Sequence, residues 1–382
     1  MDHISILGMS SVSALGSSSA VVWENYRAGQ ALFSNATTPS GPVAVARLSQ
    51  QLEQEVEQLA QQNPNYKRLD RTALLAILAA RGSMEGTQPE GKWGVNIGSS
   101  RGATGLFEKY HQDFIKRGEA HTLSSPTTTL GNVSTWVAQD LQLPAMSLGH
   151  SVTCASAMHA VLNGIAWLRS GMVQAMLVGG TEAPLTPFTI AQMQALNLYS
   201  KNTDGFACRA LDLNKTANTM VLGEAAATAV LVLGDHPQAQ GHICGYGWGT
   251  ETLDHHTSLS KQADCFQDSM KMALTAAGLE SVDAVVMHAP GTILGDKAEY
   301  RALQEVFGSG LPFLVSNKHL IGHTLGTSGM LSLELAMLML QQRDCPVNPF
   351  LEQAIEKPQQ FKTVMINAVG FGGNAVSLIV CK

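Results

Sequence analysis

The sequence predicts an α/β protein, on three observations. Short β-rich runs alternate with helix-patterned runs along most of the chain. Charged residues make up only 14% of the 382, against an average near ~25%, so much of the surface is buried inside the chain or in a subunit interface. Glycine is abundant, at 36 residues, which points to many tight turns or close backbone approaches.

The elements follow in order. Met146–Val152 reads as a strand, Ser156–Arg169 as a helix and Met176–Val178 as a strand. The helix rests on Met158, Val161, Leu162, Ile165 and Leu168 at helical spacing, with Gly171 just past its last turn. The C-terminal half repeats the theme. Cys265–Ala277 and Asp296–Phe307 read as helices closed by Gly278 and Gly308. Val282–Met287, Phe313–Ser316, Lys362–Asn367 and Val376–Val380 read as strands, the last two flanking the turn Gly370-Phe371-Gly372-Gly373. Gly329–Gln341 is a Leu/Met-rich helix, apolar nearly all round within Met330–Leu340, and belongs between layers. In each half a small-residue turn, Thr153-Cys154-Ala155-Ser156 or Gly326-Thr327-Ser328-Gly329, precedes a buried helix. The seam falls near Gly234–Gly241, dividing the chain into 1–237 and 238–382. The polar stretches Gln50–Tyr66 and Asp254–Lys261 read as surface helix and loop.

Composition excludes several classes. A net charge of −6 does not suit a bulk nucleic-acid binder. No apolar run reaches the ~18 residues of a membrane span, and the N-terminus lacks the basic start of a signal peptide. The six cysteines contain no CxxC pair and point to free thiols in a reducing cytoplasm. His255 and His256 are adjacent and no His/Cys cluster has zinc-like spacing, so no metal is expected. Phosphate-loop and dinucleotide fingerprints are missing; Gly98-Ser-Ser-Arg-Gly102 lacks their spacing and Lys.

Four segments can carry chemistry. Cys154 falls where a strand turns sharply into a helix, so that amides and the helix dipole favour a thiolate. The same place suits a small buried core cysteine. His288 ends a β-rich run, where active-site side chains of α/β sheets gather. Asp296 and Glu299 stand as Asp-x-x-Glu at a helix start, a pattern that equally reads as a capping box. Lys318 precedes His323 by five residues in a Gly-rich loop, where the pair makes either a charged network or an ordinary exposed loop. Phe371 sits in a Gly-rich hairpin turn whose backbone can approach a substrate.

Taken in order, Cys154, His288, Lys318-x4-His323 and Gly370-Phe371-Gly372-Gly373 resemble the decarboxylating β-ketoacyl-acyl carrier protein synthases of the thiolase superfamily. The resemblance runs almost end to end. It includes Gly8-Met-Ser-Ser-Val-Ser-Ala-Leu-Gly16, Trp23, Ser125-Pro126, Asn132, Gly179-Gly180-Thr-Glu182, Arg209-Ala-Leu-Asp212 and Gly223-Glu224. Three segments depart from the family pattern: His288-Ala-Pro-Gly-Thr292 replaces His-Gly-Thr-x-Thr, Gly372-Gly373-Asn374 is one residue short of Gly-Gly-Thr-Asn, and no Asp-Gly element lies between Arg209 and Gly223. The compact chain is similar to the aryl polyene type within the family.

The resemblance implies a duplicated five-layer αβαβα fold, dimeric through the N-terminal half, with the nucleophile in 1–237 and both catalytic histidines in 238–382. It implies that Cys154 takes an acyl group from a carrier protein, that His288 and His323 bind the malonyl thioester and promote decarboxylation, and that Lys318 holds the charge network with Glu299 assisting and Asp296 ordering the loop. It places the oxyanion hole at the amides of Cys154 and Phe371, with Phe371 gating the acyl pocket. No cofactor is implied. The implied partners are an acyl carrier protein and a second subunit, either another copy or a chain-length factor. An acidic carrier needs a basic patch; Lys67, Arg68 and Arg71 match the family's basic helix start, and Lys116-Arg117 reads better as a solvated helix face. The relatives separate on particular residues: a degradative thiolase carries a second Cys where Phe371 stands, an initiating ketosynthase uses Cys-His-Asn, and a chain-length factor lacks the Cys. Two other functions compete, a non-catalytic or chain-length-determining partner subunit and a Cys-His hydrolase. The first is opposed by the retained Cys154, His288, Lys318 and His323, the second by the missing orienter for a single His.

Overall fold

The computed structural model describes residues 3–252, 259–351 and 356–382. His255 and His256, and most of the polar loop predicted at 254–261, lie outside the described residues. Two five-stranded sheets organise the rest. The first runs, edge to edge, Ile4–Val12, Ala225–Leu233, Ala175–Glu182, Trp93–Gly98, Ala145–His150. Its first two pairings are antiparallel and its last two parallel. The second runs Gly241–Thr250, Asn374–Cys381, Thr363–Gly370, Ala284–Val286, Phe313–Val315 and repeats that order of pairings. All strands of the first sheet lie within 4–233 and all strands of the second within 241–381.

Between the sheets lie the helices Ser156–Arg169 and Ser328–Gln342, packed on each other. Every residue from Ser328 to Leu340 is buried, which is why that segment reads as apolar all round. Arg71–Met84 covers the outer face of the first sheet, against Ile4–Val12 and Ala225–Leu233. Asp264–Ala277 covers the second, with Ile293–Phe307 against it. The layers are therefore α-β-α-β-α, the arrangement the resemblance implies. The glycines of Gly245-Tyr-Gly247-Trp-Gly249 let the second outer helix approach its sheet: a Cβ at those three positions would stand 2.2–2.4 Å from the carbonyl oxygens of Ala273, Ser269 and Cys265.

One expectation about local structure is corrected. The helix predicted from Asp296 begins at Ile293, and Thr292 is its cap, its side chain accepting the N–H of Gly295 at 3.2 Å. Asp296 and Glu299 form no capping box, because both carboxylates are buried and take other N–H donors, described below.

Candidate active site

Apart from Asp296 and Glu299, which lie within the helix Ile293–Phe307, each residue singled out for chemistry follows the C-terminal end of a strand. Cys154 comes after Ala145–His150, His288 after Ala284–Val286, Lys318 and His323 after Phe313–Val315, and Phe371 after Thr363–Gly370. In the repeated pattern Cys154 and His323 hold matching places, each between an edge strand and one of the central helices.

The turn that carries Cys154 is tight. Thr153 sits at φ 47°, a left-handed conformation that a β-branched residue rarely adopts. Ser156 fixes the turn from inside: its Oγ accepts the N–H of Val152 at 3.0 Å and donates to the Thr153 carbonyl at 2.6 Å. The glycine hairpin of the far half presses on this turn. A Cβ on Gly370 would lie 2.0 Å from Thr153 Oγ1, 2.6 Å from the Val152 carbonyl oxygen and 3.3 Å from the Cys154 nitrogen. Thr153 Oγ1 also donates to the Phe371 carbonyl at 3.3 Å. The shortened Gly372-Gly373-Asn374 segment closes as a three-residue turn, with Gly370 paired to Asn374 and both glycines at positive φ.

Cys154, His288, His323, Glu299 and Phe371 line one cavity of about 200 Å³, whose other walls are largely apolar and include Met193, Leu198, Met220 and Leu325. The two imidazoles meet edge to face, centroids 5.1 Å apart. The Nδ1 atoms of both rings are buried and have no hydrogen-bond partner among the described residues. Buried ring nitrogens of this kind call for a ligand or a water.

Backbone contacts place both histidines. The N–H of His323 donates to the Val221 carbonyl at 2.6 Å and its carbonyl accepts from Gly223 at 3.1 Å, so a strand of the other half holds it. Glu299 holds His288: Oε1 accepts the His288 N–H at 2.9 Å and Oε2 the Ala289 N–H at 2.8 Å. Ala289 sits at φ 26°, so the altered His288-Ala-Pro-Gly-Thr292 loop is bent sharply at its second residue. Asp296 Oδ1 accepts the Gly291 N–H at 3.0 Å further along the same loop. Lys318 is 1% exposed and donates to Asn317 Oδ1 at 3.0 Å.

Burial dominates the electrostatics. It lowers both site imidazoles, His323 to about 3 and His288 well below its ordinary value. Burial also lowers Lys318 to about 8, against the opposing field of Glu299, and raises Glu299 to about 7. The helix start was expected to stabilise a Cys154 thiolate. Burial acts against this: it pushes the thiol up to about 12, with Glu182 adding to the rise and Lys318 and a backbone N–H opposing it. Burial therefore favours the neutral forms of the thiol and of both imidazoles.

Asn367 heads the fourth segment singled out in the sequence, which assigns it no role; its Nδ2 donates to Glu299 Oε1 at 3.3 Å. Glu182 is a further electrostatic neighbour of the site. Glu182 Oε1 accepts the Ser99 hydroxyl at 2.9 Å and the N–H groups of Ser100 and Arg101. Only the Gly-Gly-Thr-Glu motif marked it in advance. The residues expected to dock a carrier protein lie outside the cavity lining. Lys67 and Arg68 are exposed on a single turn of 3-10 helix. Arg71 is not free: its guanidinium pairs with Glu53 at 2.6 Å and with the buried Glu224 at 2.7 Å. Among the described residues no cluster of His, Cys, Asp and Glu fits a metal ion, and no helix is long and apolar enough to cross a membrane.

Residues 1–235 match the family model for the β-ketoacyl synthase N-terminal domain, and residues 240–352 match that for its C-terminal domain. The chain belongs to the β-ketoacyl synthase family. Among its relatives is 3-oxoacyl-[acyl-carrier-protein] synthase 2 of Staphylococcus aureus (strain COL), 27% identical over 415 aligned positions that cover 100% of this chain and 98% of the relative. A β-ketoacyl synthase from Burkholderia phymatum STM815 shares the fold with a TM-score of 0.84 at 24% identity, covering all of both chains. The ishigamide ketosynthase/chain length factor shares it with a TM-score of 0.86 at 21% identity, covering 100% of this chain and 99% of that one. As a β-ketoacyl synthase family member, the chain falls among acyltransferases.

Proposed function

We propose that this β-ketoacyl synthase catalyses a decarboxylative Claisen condensation, joining malonyl-carrier protein to an acyl group held on Cys154, in chain elongation of the fatty-acid or polyene/polyketide kind. The observation that carries the reading is the cavity shared by Cys154, His288 and His323, with the Nδ1 atoms of both imidazoles buried and unpartnered among the described residues.

In the first half-reaction the Cys154 sulfur attacks the acyl thioester, its proton passes to an imidazole, and the carrier thiol leaves. The developing oxyanion is met by the amides of Cys154 and Phe371; the close packing of Gly370 against the Thr153 turn supports this pairing. In the second, malonyl-carrier protein occupies the same cavity with its thioester oxygen on His288 and His323. Loss of CO2 leaves an enolate, whose negative oxygen needs donors in a water-poor site. The enolate carbon attacks the acyl-Cys154 carbonyl, and the thiolate of Cys154 leaves. Lys318 supplies positive charge near His323. Glu299 and Asp296 orient the loop of His288. Phe371 gates the acyl pocket. The acyl carrier protein docks on Lys67 and Arg68, and the subunit pairs with a second copy or with a chain-length factor. The two repeated sheets, divided near residue 237, are read as the two halves of a duplicated unit. The compact chain favours the aryl polyene type.

A second reading is a chain-length-determining partner subunit. The complete Cys154, His288 and His323 set sharing one cavity favours the enzyme. Incubation with an acyl-carrier protein, followed by peptide mass spectrometry, separates the two. The enzyme carries one acyl group on the peptide of Cys154, and Cys154→Ala carries none. An unmodified Cys154, together with product formed only when another subunit supplies its own cysteine, supports the partner reading.

A further inference from the structure

A lysine that no motif singled out is built into the back of the site. Lys215 lies in the segment 209–220, whose Asn218 and Met220 line the cavity. Its side chain is 2% exposed and pairs at 2.7 Å with Asp296, which is fully buried. The Lys215 Nζ also donates to the Asp212 carbonyl at 2.9 Å.

The pair forms part of a clasp on the loop that begins at His288. Asp296 Oδ1 accepts the Gly291 N–H and Oδ2 accepts the Leu211 N–H, both at 3.0 Å. The Gly291 carbonyl accepts from both the amide and the hydroxyl of Thr219 at 2.9 Å. Asn218 Oδ1 accepts the Ile293 N–H at 2.9 Å. Gly291 has little room to move, since a Cβ there would stand 3.0 Å from the Cys208 sulfur.

The chemistry of the carboxylate makes the lysine matter. Asp296 serves two backbone donors and one ammonium, a load that only an ionised carboxylate can accept in full. Without a cation, a fully buried carboxylate neutralises by taking a proton. One oxygen then becomes a donor and faces the N–H of Gly291 or Leu211, and the loop is released from one side.

We propose that Lys215 is a positioning residue for His288, acting through Asp296 and the Gly291 amide. The inference rests on the proposed condensation for its catalytic readout and on the fold alone for its structural one.

The test compares wild type, Lys215→Met, Lys215→Arg, Asp296→Asn and the double variant Lys215→Met/Asp296→Asn. Three quantities are measured: CO2 release from malonyl-carrier protein, acyl loading on Cys154, and deuterium uptake over residues 288–293. In Lys215→Met, CO2 release falls about 100-fold, as misplacement of a reacting group by about 1 Å costs. Loading on Cys154 stays within about threefold, uptake over 288–293 speeds up, and Lys215→Arg restores most of the CO2 release. In the Asp296→Asn background the lysine change adds less than about twofold, because its route is already cut. That comparison also serves if Lys215→Met alone fails to fold, since the double variant buries no unpaired charge.

Equal losses in loading and decarboxylation, or the same lysine effect in both backgrounds, overturn the proposal. If wild type releases no CO2 and loads no acyl group, the condensation reading fails. Lys215 is then judged on uptake over 288–293, and unchanged uptake in Lys215→Met overturns its role.

Discussion

Glu299 holds the main chain of His288, its two carboxylate oxygens taking the N–H groups of His288 and Ala289 at 2.9 and 2.8 Å. A glutamine can accept only one of these bonds and turns an N–H against the other. Glu299→Gln should therefore cost about 1–3 kcal/mol of stability, the price of a buried unsatisfied pair. It should also reduce CO2 release far more than acyl loading on Cys154. Thermal melting and the two half-reactions, assayed separately, check this.

Gly370 is one contact through which the far half reaches the turn of Cys154. Gly370→Ala places a methyl group 2.0 Å from Thr153 Oγ1 and 2.6 Å from the Val152 carbonyl oxygen. The Val152 carbonyl belongs to the backbone of the Cys154 turn and withdraws only if that turn opens. Loading of Cys154 should fall by more than about 100-fold, measured as the rate of acyl-peptide formation.

The Cys154 thiol, pushed up to about 12 by burial and Glu182, ionises only in alkaline solution. Its alkylation by iodoacetamide should rise about tenfold per pH unit from pH 7 to 9 without levelling. A plateau near neutrality would show a stabilised thiolate instead. The linked effect on stability has a definite sign. A raised thiol contributes stability in full below the ordinary value of ~8.5 and loses it as pH climbs from there toward the folded value. His323, lowered to about 3, works oppositely: its contribution is full above ~6.5 and is lost as pH falls from there. Melting between pH 7 and 4 should therefore drop more steeply in wild type than in His323→Gln.

The residues proposed for docking divide. Lys67 and Arg68 are exposed, and the double substitution Lys67→Glu/Arg68→Glu should raise KM for a carrier protein about tenfold, with weaker salt dependence and unchanged melting. Arg71 pairs with Glu53 and Glu224, so Arg71→Ala should lower the melting temperature by leaving Glu224 buried and unpaired. Steady-state kinetics at two salt concentrations and melting curves distinguish the two effects.

The sequence made the central elements legible because their signals are local. The helix Ser156–Arg169 has the predicted bounds, since its apolar spacing and Gly171 mark its length. The strands at 363–370 and 374–381 run longer than predicted, because a central strand buried on both faces gives no alternation to read. Asp296 was open to a capping reading because Asp-x-x-Glu carries that signal. Two of its three donors, Leu211 and Lys215, stand 85 and 81 residues away, and no local pattern records such a distance. The thiol of Cys154 shows the same division. The helix start is written in the sequence, whereas the burial and the Glu182 field that act against it come from packing.

The central claim is that Cys154, His288 and His323 work on one substrate in one cavity. A single-turnover experiment tests it most directly: enzyme carrying one acyl group on Cys154 is mixed with malonyl-carrier protein, and the released CO2 and the carrier-bound product are counted together. The account predicts one CO2 for each β-ketoacyl chain longer by two carbons, with the acyl group cleared from Cys154, and no such product from His288→Ala or His323→Ala. Release of free acid, or loss of CO2 without any lengthened chain, would contradict it.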